Sequence, residues 1–186
     1  MTRPLRADAA RNRARVLMAA SEAFAVEGLA VPLDEIARRA GVGAGTVYRH
    51  FPTKEALFEA VILDRIIRFV DTARKMANGD DPGAAFFDFL HRLVMGASSS
   101  KALVDALAGA PLTTADLIRS AKQDLNAAGG ELLIQAQRAG AVRADVSITD
   151  VMAIFAGTTL ALQQPGVDES LKETVFTVIR DGLRTH

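Results

Sequence analysis

The stretch "AGVGAGTVYRHFPTKEAL", residues 40–57, decides how the rest of the chain is read. Gly41, Gly43 and Gly45 crowd together as they would in a phosphate-cradling loop, yet Tyr48, Arg49, His50, Phe51 and Lys54 follow at once. A dinucleotide-binding loop needs G-x-G-x-x-G between a strand and a helix. Here the third glycine is misplaced, and the preceding "LDEIARRA" has helical rather than alternating periodicity. A P-loop would end in Gly-Lys-Ser/Thr, which is absent. The alternative is a helix-turn-helix, two short helices around a glycine-containing turn, the second of which enters the major groove of duplex DNA.

"EIARRAGVGAGTVYRHF" (35–51) satisfies that logic residue by residue. Ile36 and Ala37 face a core, and Ala40 permits close helix contact. Gly41 supplies the positive φ that stops the first helix, and Val42 plugs the turn. Val47 and Phe51, four apart, pack inward and leave Thr46, Tyr48, Arg49 and His50 outside. Threonine is short enough for base edges or a thymine methyl, tyrosine and histidine donate to phosphate oxygens, and arginine reaches guanine or phosphate. Lys54 opens the next helix and completes a phosphate clamp. With Ala44 and Gly45 at the entry of the reading helix, the expected DNA-contacting set is Ala44, Gly45, Thr46, Tyr48, Arg49, His50 and Lys54. Tyr48, the only tyrosine, is expected outside because Val47 and Phe51 fill the buried face.

The remainder reads as helix with no convincing strand. Val16, Leu17, Ala20, Ala23 and Phe24 share one face of a first helix ended by Gly28. Pro32 starts a second, Pro52 separates the third from the fourth, and Thr53 caps the fourth, which runs to about Ala77. "NGDDP" (78–82) is a turn, and further helices are expected over 83–97, 101–109, 114–139, 148–163 and 169–184. The 186 residues carry no net charge, but the distribution is uneven. Five arginines up to Arg15 face only Asp8, so the N-terminal end should attract polyanions. No cysteine is present, which excludes disulfides and thiolate sites. No signal peptide and no membrane-spanning apolar run are read, so a cytoplasmic protein is expected. The sequence holds no carboxylate pair, zinc motif or serine elbow, and neither catalysis nor a cofactor is expected.

The segment "RVLMAASEAFAVEGLAVPLDEIARRAGVGAGTVYRHFPTKEALFEAV" resembles the TetR family of bacterial transcriptional regulators. The likeness is carried by "A-F-x-x-x-G", "I-A-x-x-A-G-V" and "G-T-V-Y-R-H-F-P-T-K-E-A-L". It implies an all-α homodimer with a three-helix DNA-binding head and a helical domain that dimerises and binds a small effector. The division expected is 1–54 and 55–186. By resemblance, Thr46, Tyr48, His50 and Lys54 match family positions that contact DNA. Two departures stand out: Val31-Pro32-Leu33 where the family often has a capping Ser or Thr, and Gly43-Ala44 where it often has Ser-Lys or Ser-Arg. Both shift the expected load onto Arg49 and the arginine-rich arm from Thr2 to Arg15, which is expected to reach the adjacent minor groove.

In the second region, an apolar cluster on the helix from 83 suggests an effector cavity. Its expected lining includes Phe86, Phe89, His91, Leu93, Arg119 and Asn126, suited to a small apolar or amphipathic effector. The last two helices are expected to form a four-helix dimer interface through Met152, Phe155, Leu171, Val175, Val178 and Ile179. Ordinary core packing is the alternative account, the more common one for the phenylalanines and the less favoured one for these stripes. The expected mechanism is repression relieved by effector: the long fourth helix swings, and two reading helices spaced for successive major grooves of a pseudo-palindromic operator lose register. The competing reading is a small-molecule-binding or enzymatic helical module whose N-terminal helices only scaffold it.

Overall fold

A computed structural model describes residues 3–98, 115–162, 164 and 166–185. In order come α1 (Arg3–Glu27), a 3₁₀ turn (Gly28–Ala30), α2 (Leu33–Ala40), α3 (Ala44–His50) and α4 (Lys54–Met76). These are followed by α5 (Pro82–Ser98), α6 (Ala115–Arg138), α7 (Ile148–Ala161) and α8 (Glu169–Leu183). Among the described residues the fold is all-α, and extended pairing is limited to one isolated antiparallel bridge between Val142 and Arg184. The helix expected over 101–109 lies outside the described residues.

The chain forms two compact units that divide within α4, between Arg65 and Ile66. The residue pattern divides at 54 instead, and the difference has a plain cause. Leu57 and Val61 of α4 belong to the first unit's core, and the Phe58 ring meets that of Phe24 edge-on at 5.6 Å. In that unit α1 packs on α2 and α3, and α2 packs on α3. All five apolar residues expected on the inner face of α1 are buried. So are Ile36, Ala37, Ala40, Val47 and Phe51, and Val42 packs against them from the turn. Fully burying a side chain the size of Ile36, Val47 or Leu57 contributes about 1.5–3 kcal/mol each, so this cluster is what holds the two short helices against α1.

Helix ends follow local chemistry. Gly28 (φ 65°) stops α1 and Gly41 (φ 61°) stops α2. The Gly41 and Val42 amides donate back to the carbonyls of Arg38 and Ala37, both at 3.1 Å. Pro32 is the residue flanking α2 rather than its first helical residue, with extended backbone and no side-chain cap. The Thr53 hydroxyl accepts from the Ala56 amide at 3.1 Å, capping α4 as its position suggests.

In the second unit α5 packs against α7 and α8. Phe86, Phe89, Leu90, Leu93 and Val94 are buried with Ile118, Leu125, Leu132, Leu133, Val151, Phe155 and Phe176. Gly129 lies in close contact inside α6: a Cβ there would lie 3.4 Å from the Phe89 ring and 3.3 Å from Ile148. Ser147 and Asp150 form a reciprocal capping box at the start of α7. Gln137 donates to the carbonyls of Arg143 and Val146, both at 2.9 Å, and so fixes the turn between α6 and α7.

Replacing Gly28 or Gly41 by alanine tests this account of the helix ends. A Cβ on Gly28 meets nothing within 4 Å, so Gly28→Ala is expected to cost only the left-handed backbone strain, about 1 kcal/mol. On Gly41 the Cβ would sit 2.9 Å from the Arg15 guanidinium. Gly41→Ala is therefore expected to cost roughly 2 kcal/mol, read as a larger fall in the urea midpoint at unchanged slope.

Candidate nucleic-acid interface

The outer surface of α3 is set by what its inner surface must bury. Val47 is completely buried and the Phe51 amide donates to its carbonyl at 2.8 Å, closing the helix. With those two inside, the helical turn leaves Tyr48, Arg49 and His50 exposed and Thr46 half-buried; Ala44 and Gly45 are exposed at the entry. Tyr48 is 47% exposed, and neither it nor Arg49 makes an intramolecular hydrogen bond or ion pair among the described residues. These two groups are available to an external partner. Lys54 is half-buried, and its ammonium donates to the Leu29 carbonyl at 2.8 Å, so it ties α4 to the 3₁₀ turn.

The arginines expected to form a DNA-reaching arm up to Arg15 lie on α1. The backbone from Arg3 onward is helical, and the described arginine side chains have partners. Arg11 pairs with Asp8, and the Arg13 guanidinium lies 5.5 Å from the centre of the Phe51 ring. Arg15 donates to the Ala40 carbonyl at 2.9 Å and to the Gly41 carbonyl.

The arginines at the end of α2 are also engaged. Glu35 receives both arms of Arg38 at 2.7 Å and one of Arg39 at 2.8 Å, while Arg39 reaches on to Glu27. Hydrogen bonds from Arg38, then from Arg39, lower the Glu35 carboxyl from 4.5 to about 2. Glu35 lies three and four residues before these arginines, the spacing at which helical side chains meet. This pattern was legible in the sequence. The cross-helix reach of Arg15 was not.

In the second unit, a groove of about 730 Å³ runs between the start of α5 and α8. His91 lines it, bonded to Glu173 at 3.1 Å and edge-on to Phe176 at 4.6 Å. The Arg184 guanidinium lies 5.7 Å from the centre of the Phe87 ring in the same groove. A smaller cavity of about 190 Å³ between α6 and α7 is lined by Lys122, Leu125, Asn126, Met152, Phe155 and Ala156. Of the residues expected around an effector, His91 and Asn126 thus line two different cavities. Phe86, Phe89 and Leu93 are buried in the core and line neither. Arg119 is exposed, pairs with Asp116 at 2.7 Å and also lines neither. Of the residues expected at a dimer interface, Phe155 is buried within its own unit and Met152 is half-buried beside it. Leu171 and Val178 are exposed, Val175 and Ile179 half-buried. Among the described residues, no group of histidine and carboxylate side chains could hold a metal ion, and no helix is long and apolar enough to cross a membrane.

Residues 16–61 match the family described as "Bacterial regulatory proteins, tetR family". Residues 81–185 match "Transcriptional regulator SbtR-like, C-terminal domain". A TetR transcription regulatory protein from Mycobacterium vanbaalenii is 51% identical, with a TM-score of 0.79 over 98% of this chain and 100% of that one. The TetR transcriptional regulator SCO0520 from Streptomyces coelicolor is 34% identical, with a TM-score of 0.79 over 92% and 98%. The HTH-type transcriptional regulator SrpR of Pseudomonas putida is 42% identical over 66 residues, covering 35% of this chain and 31% of that protein. The chain spans less than half the length of the curated relatives it matches. It belongs to the TetR family of bacterial transcriptional regulators.

The carboxylate at the end of α2 makes the ion-pair network testable by pH. Glu35 is expected to titrate near about 2 in the folded chain, followed by carboxyl carbon NMR. Arg38→Ala should move it back toward 4.5. Because the folded value lies below the unfolded one, the stabilisation is fully present above about 4.5 and disappears as the pH falls through about 2.

Proposed function

We propose that this chain is a sequence-specific DNA-binding transcriptional regulator, active in the cytoplasm as a homodimer, that represses until a small effector releases it. The observation that carries the reading is α3 itself. A short helix anchored by buried Val47 and Phe51 presents Tyr48, Arg49 and His50 outward with no partner for the Tyr48 and Arg49 side chains among the described residues, in a chain whose family is one of transcriptional regulators. In this reading α3 enters the major groove. Thr46 and Arg49 address base edges, and Tyr48 and His50 address phosphates. Ala44 and Gly45 allow close approach, and Lys54 exchanges its bond to Leu29 for a phosphate oxygen. Residues 1–54 carry the contacts, the start of α4 completes their core, and the chain beyond serves dimerisation and effector binding. Operators are then pseudo-palindromic, with half-sites roughly 34–36 Å apart.

Exposed apolar side chains on the last two helices support the homodimer. Leu171 and Val178 of α8 are exposed, as are Ile154 and Leu160 of α7, and the half-buried Val175 and Ile179 lie on α8 beside them. Phe155 and Met152 serve the subunit's own packing, so Ile154 and Leu160 take their place in the proposed interface. For the effector, the groove lined by His91, Phe87 and Phe176 falls within the 300–1,000 Å³ typical of small-molecule sites, while the cavity beside Asn126 is too small.

Two measurements test this. Binding to a duplex selected from a random pool should weaken steeply with salt, through counterion release. Tyr48→Phe and Arg49→Ala should each lower affinity by roughly tenfold, the effect of losing one charge-assisted contact. Unchanged affinity in both variants would remove α3 from the interface. In sedimentation, Val178→Glu combined with Leu160→Glu should convert a dimer to a monomer; a double variant that remains dimeric places the interface elsewhere.

A further inference from the structure

We propose that Arg15, on α1, is a positioning residue for α3: it clamps the turn between α2 and α3 and does not serve as a DNA contact. The inference rests on the DNA-binding reading of α3. It starts from the unpaired carbonyls at the end of α2. The last carbonyls of a helix have no partner within it. The Gly41 and Val42 amides satisfy Arg38 and Ala37; the carbonyls of Ala40 and Gly41 are among those that remain at the mouth of the turn. Arg15 takes both with one guanidinium, from Nε to Ala40 at 2.9 Å and from Nη2 to Gly41. The planar fork suits two adjacent acceptors in a way an ammonium does not, and the C-terminal end of a helix attracts a cation.

The clamp acts where α3 needs it. Gly43 precedes α3 with no side-chain cap, and a seven-residue helix does not persist by itself in water. Its direction is therefore imposed from outside. Two residues before Arg15, Arg13 lies over Phe51, which closes the other end of α3. Two side chains of α1, leaving the helix in different directions, thus bear on the turn before α3 and on the residue that ends it.

The experiment compares Arg15→Met and Arg15→Lys with the wild-type chain. It measures affinity for the selected duplex and for random duplex across a salt series, and amide exchange in the DNA-free protein. A clamp predicts that both variants bind the selected duplex about tenfold more weakly. Random-duplex affinity and salt slope should stay at wild-type values, and the amides of α3 should exchange faster than those of α1 and α2. A phosphate contact predicts instead a salt slope smaller by about 1 in Arg15→Met and restored in Arg15→Lys, which overturns the inference. Faster exchange spread evenly over all three helices, with selected-duplex affinity unchanged for the folded fraction, also overturns it by reducing Arg15 to a general stabiliser. If Arg15→Met does not fold, Arg15→Lys decides, because it keeps the charge and loses the fork. A wild-type chain that binds no duplex would sink the DNA-binding reading, and the exchange pattern alone would still decide whether the clamp exists.

Discussion

The left-handed backbone at Gly41 is the constraint on which the head of this protein depends. A chain leaving α2 has to reverse within a few residues so that Val47 reaches the same core as Ile36. At φ 61° only glycine does so without steric cost. Val42 then seals the turn, and the guanidinium of Arg15 covers the carbonyls that the reversal exposes. Every outward side chain of α3 has its direction because of that bend.

Local propensity does little for α3 and burial does nearly everything. The helix has seven residues, no side-chain cap and glycine within its first turn. Against that stand the complete burial of Val47, the near-complete burial of Phe51 and the contacts of two α1 arginines. Hydrophobic contributions of a few kcal/mol outweigh the surface ion pairs nearby, whose effect is mainly to decide which charges stay free. Arg38 and Arg39 are held by Glu35, and Arg11 by Asp8, so the positive field of the head is narrower than its arginine count suggests. Arg13, Arg15, Arg49 and Lys54, whose described partners are neutral or absent, keep their charge uncompensated.

The second unit divides its chemistry between two surfaces of α8. Phe176 and Leu183 are buried, and Glu173 and Arg180 line the mixed polar and aromatic groove that α5 shares. Leu171 and Val178 stay outside. Burying the first set builds the unit and its groove. The second, left exposed, is the surface that the proposed homodimer would use. A single helical stripe could not serve both purposes, which is why α8 carries apolar residues on more than one side.

Much of this molecule was legible as pattern. The 3.6-residue spacing of Val16, Leu17, Ala20, Ala23 and Phe24 named the buried face of α1, Gly28 and Gly41 marked two helix ends, and Thr53 marked a start. The inward pair Val47 and Phe51 determined by elimination which side chains of α3 face out. These are local facts, governed by the period of one helix and the backbone freedom of one residue. Tertiary contact alone decided the rest. Arg15 looks like one basic residue among five until α2 is brought against α1, and Lys54 looks like a free cation until the Leu29 carbonyl arrives beside it. Phe86, Phe89 and Leu93 could line a cavity or fill a core with the same spacing, and packing made them core. A sequence records which residues share a helix face; which distant group that face meets depends on how helices far apart in the chain are packed, and charges and cavities are defined only by that meeting.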